Sequence, residues 1–207
     1  MFDIDPQISA VSRDVGTGER DGRATKVATI SQAYDTDPDD LWEACTRAER
    51  LARWFSPVSG DLQLGGRYQI EGNACGTVER CDPPKSFSLT WEFGGGVSWV
   101  EVRIAPEPGG GARFELEHTA HPEEHWEQYG PGAVGLGYDM ALASLALHLT
   151  TDGVTNDQEH AAYWASADGR RFLAEAGQRW YEADVAGGAE PEAARAAADR
   201  TVAAYTA

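Results

Sequence analysis

The run PGAVGLGYDMALASLALHLT, Pro131 to Thr150, limits what this chain can fold into more than any other stretch. Val134, Tyr138, Ala141, Leu142, Leu145 and Leu149 recur at the spacing of one helical face. Met140, Ala143, Ala146 and Leu147 fill most of the opposite side, so the helix is apolar almost all round. Such a helix has to be covered on most sides by other elements. Gly135 and Gly137 sit near its start, and each costs about 1 kcal/mol against alanine inside a helix. Their presence predicts either close approach of the helix backbone to a sheet or an opening at the helix start.

The covering elements read as strands. Between Val58 and Thr119 the apolar period becomes two: Tyr68 and Ile70; Phe87, Leu89, Trp91 and Phe93; Val100, Val102 and Ile104; Phe114 and Leu116. Polar residues alternate with them, which predicts an antiparallel sheet with one buried face. Gly65-Gly66, Asp82-Pro83-Pro84, Gly94–Gly96 and Gly109–Gly111 supply the turns. A first strand is expected over Ala24–Tyr34. Asp37 then caps a short helix that has Pro38 at its first position and Leu41, Trp42 and Cys45 on its apolar side. RAERLARWF gives a second short helix, ending at Ser56-Pro57.

Outside this core, residues 1–22 read as a short helix carrying Ile4, Ile8, Val11 and Val15, dissolving into the linker GTGERDG. After the long helix, Thr150-Thr151-Asp152-Gly153 is expected to end the module. Helices are then expected near Gln158–Ser166, Arg170–Val185 and Pro191–Tyr205. The last is alanine-rich and marginal alone, so it should dock on the module or on a second subunit, which leaves a homodimer as one arrangement. The expected organisation is an arm over 1–23, a core domain over 24–153 and a helical extension over 154–207.

A net charge of −17 and a sequence pI near 4.5 exclude the basic stripe that nucleic acid requires. The same charge would be repelled by an anionic membrane surface. Cys45, Cys75 and Cys81 form no CxxC pair and fit free thiols in a reducing compartment. MFDIDPQISAVSRD has no signal-peptide pattern, and Tyr138, Asp139 and His148 interrupt the long helix as a bilayer span. A cytoplasmic protein is expected.

The order of one strand, two short helices, antiparallel strands and a long helix resembles the α+β helix-grip, START/Bet v-like fold. YDTDPDDLWEACTRAERLARWF, GDLQLGGRYQI, GTVERCDPPKSFSLTWEF and the strand containing LEHT carry a more specific likeness, across about residues 24–150. They are similar to the branch of the SRPBCC superfamily formed by homologues of the activator of heat-shock-protein-90 ATPase. The tail resembles extensions on actinobacterial-type members. The resemblance implies a curved antiparallel sheet wrapped around the long helix, with an internal cavity. Superfamily members bind lipids, hormones or polyketides, and some catalyse cyclisation or hydrolysis there. Three functions follow from it. The first is non-catalytic binding of a small apolar or amphipathic ligand between sheet and helix. The others are a co-chaperone-like module that touches a chaperone or another protein, and a polyketide cyclase or hydrolase using the same cavity.

The expected ligand-binding set is Trp42, Trp54 and Phe55 from the short helices, Tyr68, Trp91, Phe93 and Phe114 from the strands, and Tyr138 and Leu142 from the long helix. The same aromatics would equally fill a closed core. His118 continues the register of Phe114 and Leu116 and so points inward, where it would anchor a ligand or transfer a proton; a hydrogen-bonded rim histidine is its structural alternative. His121, Glu123, Glu124 and His125 have zinc-compatible spacing only if helical. Pro122 and the absence of an HExxH order favour an acidic capping loop, so no metal is expected. Gly130–Gly135 spells GxGxxG, but after an antiparallel sheet it lacks the dinucleotide-binding context. No GxSxG and no cysteine signature occur, so neither catalytic residues nor a cofactor are expected.

Overall fold

In the computed structural model, residues 3–151 and 157–207 are described. The Asp152-Gly153 pair expected to end the long helix, and the 153/154 boundary, lie outside them. The elements are α1 (Ile4–Ala10), β1 (Val11–Arg20), β2 (Arg23–Tyr34), α2 (Pro38–Thr46), α3 (Ala48–Trp54), β3 (Val58–Gly60), β4 (Arg67–Ile70), β5 (Cys75–Asp82), β6 (Ser86–Phe93), β7 (Gly96–Pro106), β8 (Ala112–Ala120), α4 (Glu124–Tyr129), α5 (Gly132–Thr151), α6 (Asp157–Ala165), α7 (Ala167–Ala186) and α8 (Pro191–Thr206). Eight strands form one sheet in the order β1-β2-β8-β7-β6-β5-β4-β3. Every pairing from β3 through β8 is antiparallel. This is the α+β helix-grip fold, with helices added at both ends of the chain.

The chain divides into two units. One comprises Met1–Ile30, His121–Ala143 and Thr155–Ala207, the other Ser31–Ala120 and Ser144–Val154. In the second unit the local signals act as the residue types require. The Asp37 carboxylate accepts from the Asp40 N–H, Pro38 occupies the first turn, and Leu41, Ala44 and Cys45 face inward. On β7, Val100, Val102 and Ile104 are buried between half-exposed Glu101 and Arg103. Burial pushes the Cys45 thiol up to about 12, so this cysteine is inert packing.

The first unit departs from the sequence reading. GTGERDG is no linker: residues through Arg20 continue β1, and Asp21-Gly22, at φ of 54° and 73°, turn the chain into β2. Val11 and Val15 are buried strand residues. Their spacing of four keeps them on one face of a helix and of a strand alike, so periodicity could not separate the two. β1 and α1 pack along α7. The three tail helices form where expected, and α8 docks within the unit on α4 and α7.

The long helix also buries a different set from the one expected. Leu136, Asp139, Leu142, Ala143, Leu145 and His148 are buried, whereas Val134, Tyr138, Ala141 and Leu149 are half-buried. Asp139 accepts from Arg13 Nη2 at 2.5 Å and Nε at 3.2 Å, and from the Trp180 indole N–H at 2.8 Å. Burial raises its pKa, and the Arg13 charge and the donated hydrogen bonds oppose that rise. The close neighbour at Gly135 is Trp180 rather than the sheet: a Cβ there would lie 2.3 Å from the indole. Glycine at this position seats the tail helix. By length and composition α5 could cross a membrane, which the sequence reading did not anticipate; 56 % of that stretch is buried within the protein.

Candidate functional site

Strand register in the second unit sorts side chains onto two faces. On one face Trp91 lies opposite Ser98; Leu89 lies opposite Val100, itself opposite His118; Phe87 lies opposite Val102, itself opposite Leu116. Ile104 and Phe114 extend this face. The other face is a charge ladder. Arg103 pairs with Glu101, Glu115 and Glu117, and Arg80 with Glu101. Partly exposed pairs of this kind add little stability, but they fix which face turns to water.

The apolar face is unevenly covered. Val100, Val102, Phe114, Leu116 and His118 are buried, while Phe87, Leu89 and Trp91 remain half-exposed in mid-strand. From α2, Trp42 stands edge-on to Phe87 at 5.9 Å. Tyr68 lies opposite Gly76 and donates its hydroxyl to the Thr90 carbonyl at 2.7 Å. At the end of the row the His118 ring is 6.1 Å from the Trp91 ring, and its Nε2 is 2.8 Å from Ser98 Oγ. The Ser98 hydroxyl also reaches the Trp91 carbonyl, at 3.3 Å. Burial pushes His118 down to about 4, so the imidazole is neutral near pH 7.

Tyr68, Trp91 and His118 thus share one face, which Trp42 meets from α2, with Phe114 in its buried part. Trp54 donates its N–H to the Ala44 carbonyl at 3.0 Å, which ties α3 to α2, and its ring lies tilted against Phe55 at 5.6 Å. Phe93 needs correcting. Its parity matches Trp91, but it closes the β6–β7 hairpin opposite Gly96 and is 60 % exposed, past the covered part of the strand. Tyr138, half-buried, and Leu142, buried, belong to the part of α5 in the first unit. Ser98 was missed, although it occupies the next inward position before Val100, Val102 and Ile104. A second polar group was missed as well: Arg50 binds Asp40 at 2.6 Å and contacts His148 Nε2 at 3.3 Å, which ties α3 to the end of α5. In the HPEEH stretch, α4 begins at Glu124 and His121 Nδ1 lies 3.0 Å from the Ala24 carbonyl.

His118 makes a pH-dependent contribution with a definite sign. Its folded pKa lies below the ordinary 6.5, so between 6.5 and about 4 the unfolded chain binds a proton that the folded chain refuses. Its stability contribution is complete above 6.5 and is lost as the pH falls toward 4, by about 3 kcal/mol in total. Urea melts of the parent and His118→Gln at pH 7 and pH 4.5 read this directly. The gap between the two proteins should narrow by about 2 kcal/mol at the lower pH; a constant gap would refute the burial of a neutral imidazole.

An α+β sheet-and-helix domain with one half-open apolar face defines a helix-grip protein. The chain belongs to the Activator of Hsp90 ATPase homolog 1-like family, whose model matches residues 35–150. Two solved structures of CalU16 from Micromonospora echinospora are similar over most of the chain. The crystal structure is 31 % identical, covers 84 % of this chain and 98 % of CalU16, and has a TM-score of 0.67. The corresponding solution-structure values are 30 %, 86 %, 97 % and 0.70. DynU16, a protein of the dynemicin biosynthetic locus, shares the fold at 17 % identity, with 62 % of this chain and 48 % of DynU16 covered and a TM-score of 0.56. Comparison with curated protein sequences returned no match.

Proposed function

We propose that the half-open face of β6–β8 binds a small apolar or amphipathic molecule without transforming it. Phe87, Leu89 and Trp91 carry this reading: three large apolar side chains stay half-exposed in mid-sheet while their register partners Val100 and Val102 are buried. Apolar surface left partly uncovered on a sheet is what a ligand of this class covers. The ligand stacks on Trp91 and directs one polar group at the Ser98–His118 pair. A base with a pKa near 4 holds a proton weakly at neutrality, which favours binding over the cyclase or hydrolase alternative. The co-chaperone alternative draws on a separate observation, the exposed Phe93 and Val97 at the β6–β7 tip.

Titration with Nile red, a neutral fluorescent dye, tests the proposal. The parent should bind saturably, and Leu89→Trp, which fills the face, should weaken binding by about tenfold or more at little cost in melting temperature, since overpacking penalties of about 1–3 kcal/mol arise where no space exists. Phe93→Ser should leave binding unchanged. Absence of saturable binding by the parent would defeat the proposal, as would dye binding lost with Phe93 alone.

A further inference from the structure

The first unit contains a carboxylate that the fold does not satisfy. Asp184 on α7 is 7 % exposed, yet among the described residues its side chain accepts no hydrogen bond and forms no ion pair. Burial pushes its pKa up, and the charge of Lys26 pulls it part of the way back. Asp139, fully buried in the same unit, has both oxygens bound by Arg13 and Trp180. The carboxylate lines an open recess, so a group that supplies donors to it would sit there.

The space beside it defines that occupant. A partly open recess lined by Tyr129, Gly132, Trp180, Tyr181, Asp184 and Thr201 holds about 10 Å³, room for one water-sized group. Two donors on its wall are already committed. The Thr201 hydroxyl donates to the Tyr129 carbonyl at 2.6 Å, and the Trp180 N–H donates to Asp139. Beside them the wall presents the Asp184 carboxylate, the rings and hydroxyls of Tyr129 and Tyr181, and small or apolar residues. Tyr181 already carries the Arg195 guanidinium over its ring at 3.7 Å, so this wall accepts cations.

We infer that the Asp184 recess is a binding site for the primary ammonium group of a small alkylamine. An ammonium head is the size of a water molecule, has three donors and no acceptor, and brings the charge that the carboxylate lacks. A guanidinium or a quaternary ammonium is too large for the space. The net charge of −17 raises the local concentration of such a cation. The site is independent of the apolar face in the second unit.

Methylammonium, titrated at constant ionic strength against tetramethylammonium and potassium, tests the inference, with the Trp180 indole N–H and the Asp184 carboxyl carbon followed by NMR. Methylammonium alone should give saturable shifts and lower the Asp184 pKa. Asp184→Asn should weaken the response by about tenfold or more, and so should Ala198→Leu, which narrows the rim while keeping the carboxylate. Equal responses to all three cations would overturn the site, as would a response that survives both substitutions. It would also fall if only Lys26→Met, and not the parent, responded, because Lys26 would then be the natural occupant.

Discussion

Replacing Asp139 with alanine is expected to destabilise the protein by about 3–5 kcal/mol, the cost of breaking a buried ion pair from one side. Arg13 and Asp139 side chains are 3 % and 0 % exposed, so the substitution strands a guanidinium away from water and removes the acceptor of the Trp180 N–H. Strand β1, helix α5 and helix α7 meet at this carboxylate, so the loss is felt throughout the first unit. Arg13→Met combined with Asp139→Leu should recover much of the stability, because apolar replacement of both partners removes the uncompensated charge. Urea denaturation of the three proteins measures this. A single-variant loss below about 1 kcal/mol, the range of an exposed pair, would show that the network is not structural.

Removal of residues 189–207 is expected to cost about 5 kcal/mol, or about 10–20 °C in melting temperature. Helix α8 donates three hydrogen bonds into neighbouring backbone: Arg200 to the Gln128 carbonyl at 2.7 Å, Thr201 to the Tyr129 carbonyl at 2.6 Å, and Tyr205 to the Ala133 carbonyl at 3.0 Å. Ala194, Ala197 and Thr201 are buried by the docking. Gly177 lets α8 approach α7 closely, since a Cβ there would lie 2.4 Å from Val202. Truncation would therefore uncover the α7 surface around Gly177 on which α8 packs. Differential scanning calorimetry decides the matter, and an unchanged melting temperature would mean that α8 contributes nothing.

The sheet was legible in the sequence because its two faces differ so sharply in polarity. Val100, Val102 and Ile104 against Glu101 and Arg103 leave only one register that buries the apolar set. The capped helix at Asp37-Pro38 was legible for a local reason, since cap and first turn are adjacent in the chain. Asp139 was not, because its partner Arg13 lies 126 residues away and an isolated acid within an apolar helix reads as an interruption. Gly135 hid its cause in the same manner: its neighbour Trp180 comes from a helix that sequence could place but not dock.

The candidate site was half legible. Parity placed Trp91 and His118 on the inner face, and their ring contact follows from it. Parity also pointed Phe93 inward, because alternation carries no information about where coverage of a strand ends. Ser98 escaped notice because a serine in an apolar alternation reads as an edge, although its register opposite Trp91 puts it beside His118.

The most direct test of ligand binding is to map it onto the two sheet faces, by titrating isotope-labelled protein with Nile red and following amide and indole N–H chemical shifts. The account predicts that the Trp91 indole and the amides of Leu89, Ser98 and His118 shift together and saturate, while Arg80, Arg103 and Glu115, whose side chains build the outer charge ladder, respond weakly. Shifts confined to Phe93 and Val97 at the hairpin tip, or no saturable shifts on the inner face, would contradict it.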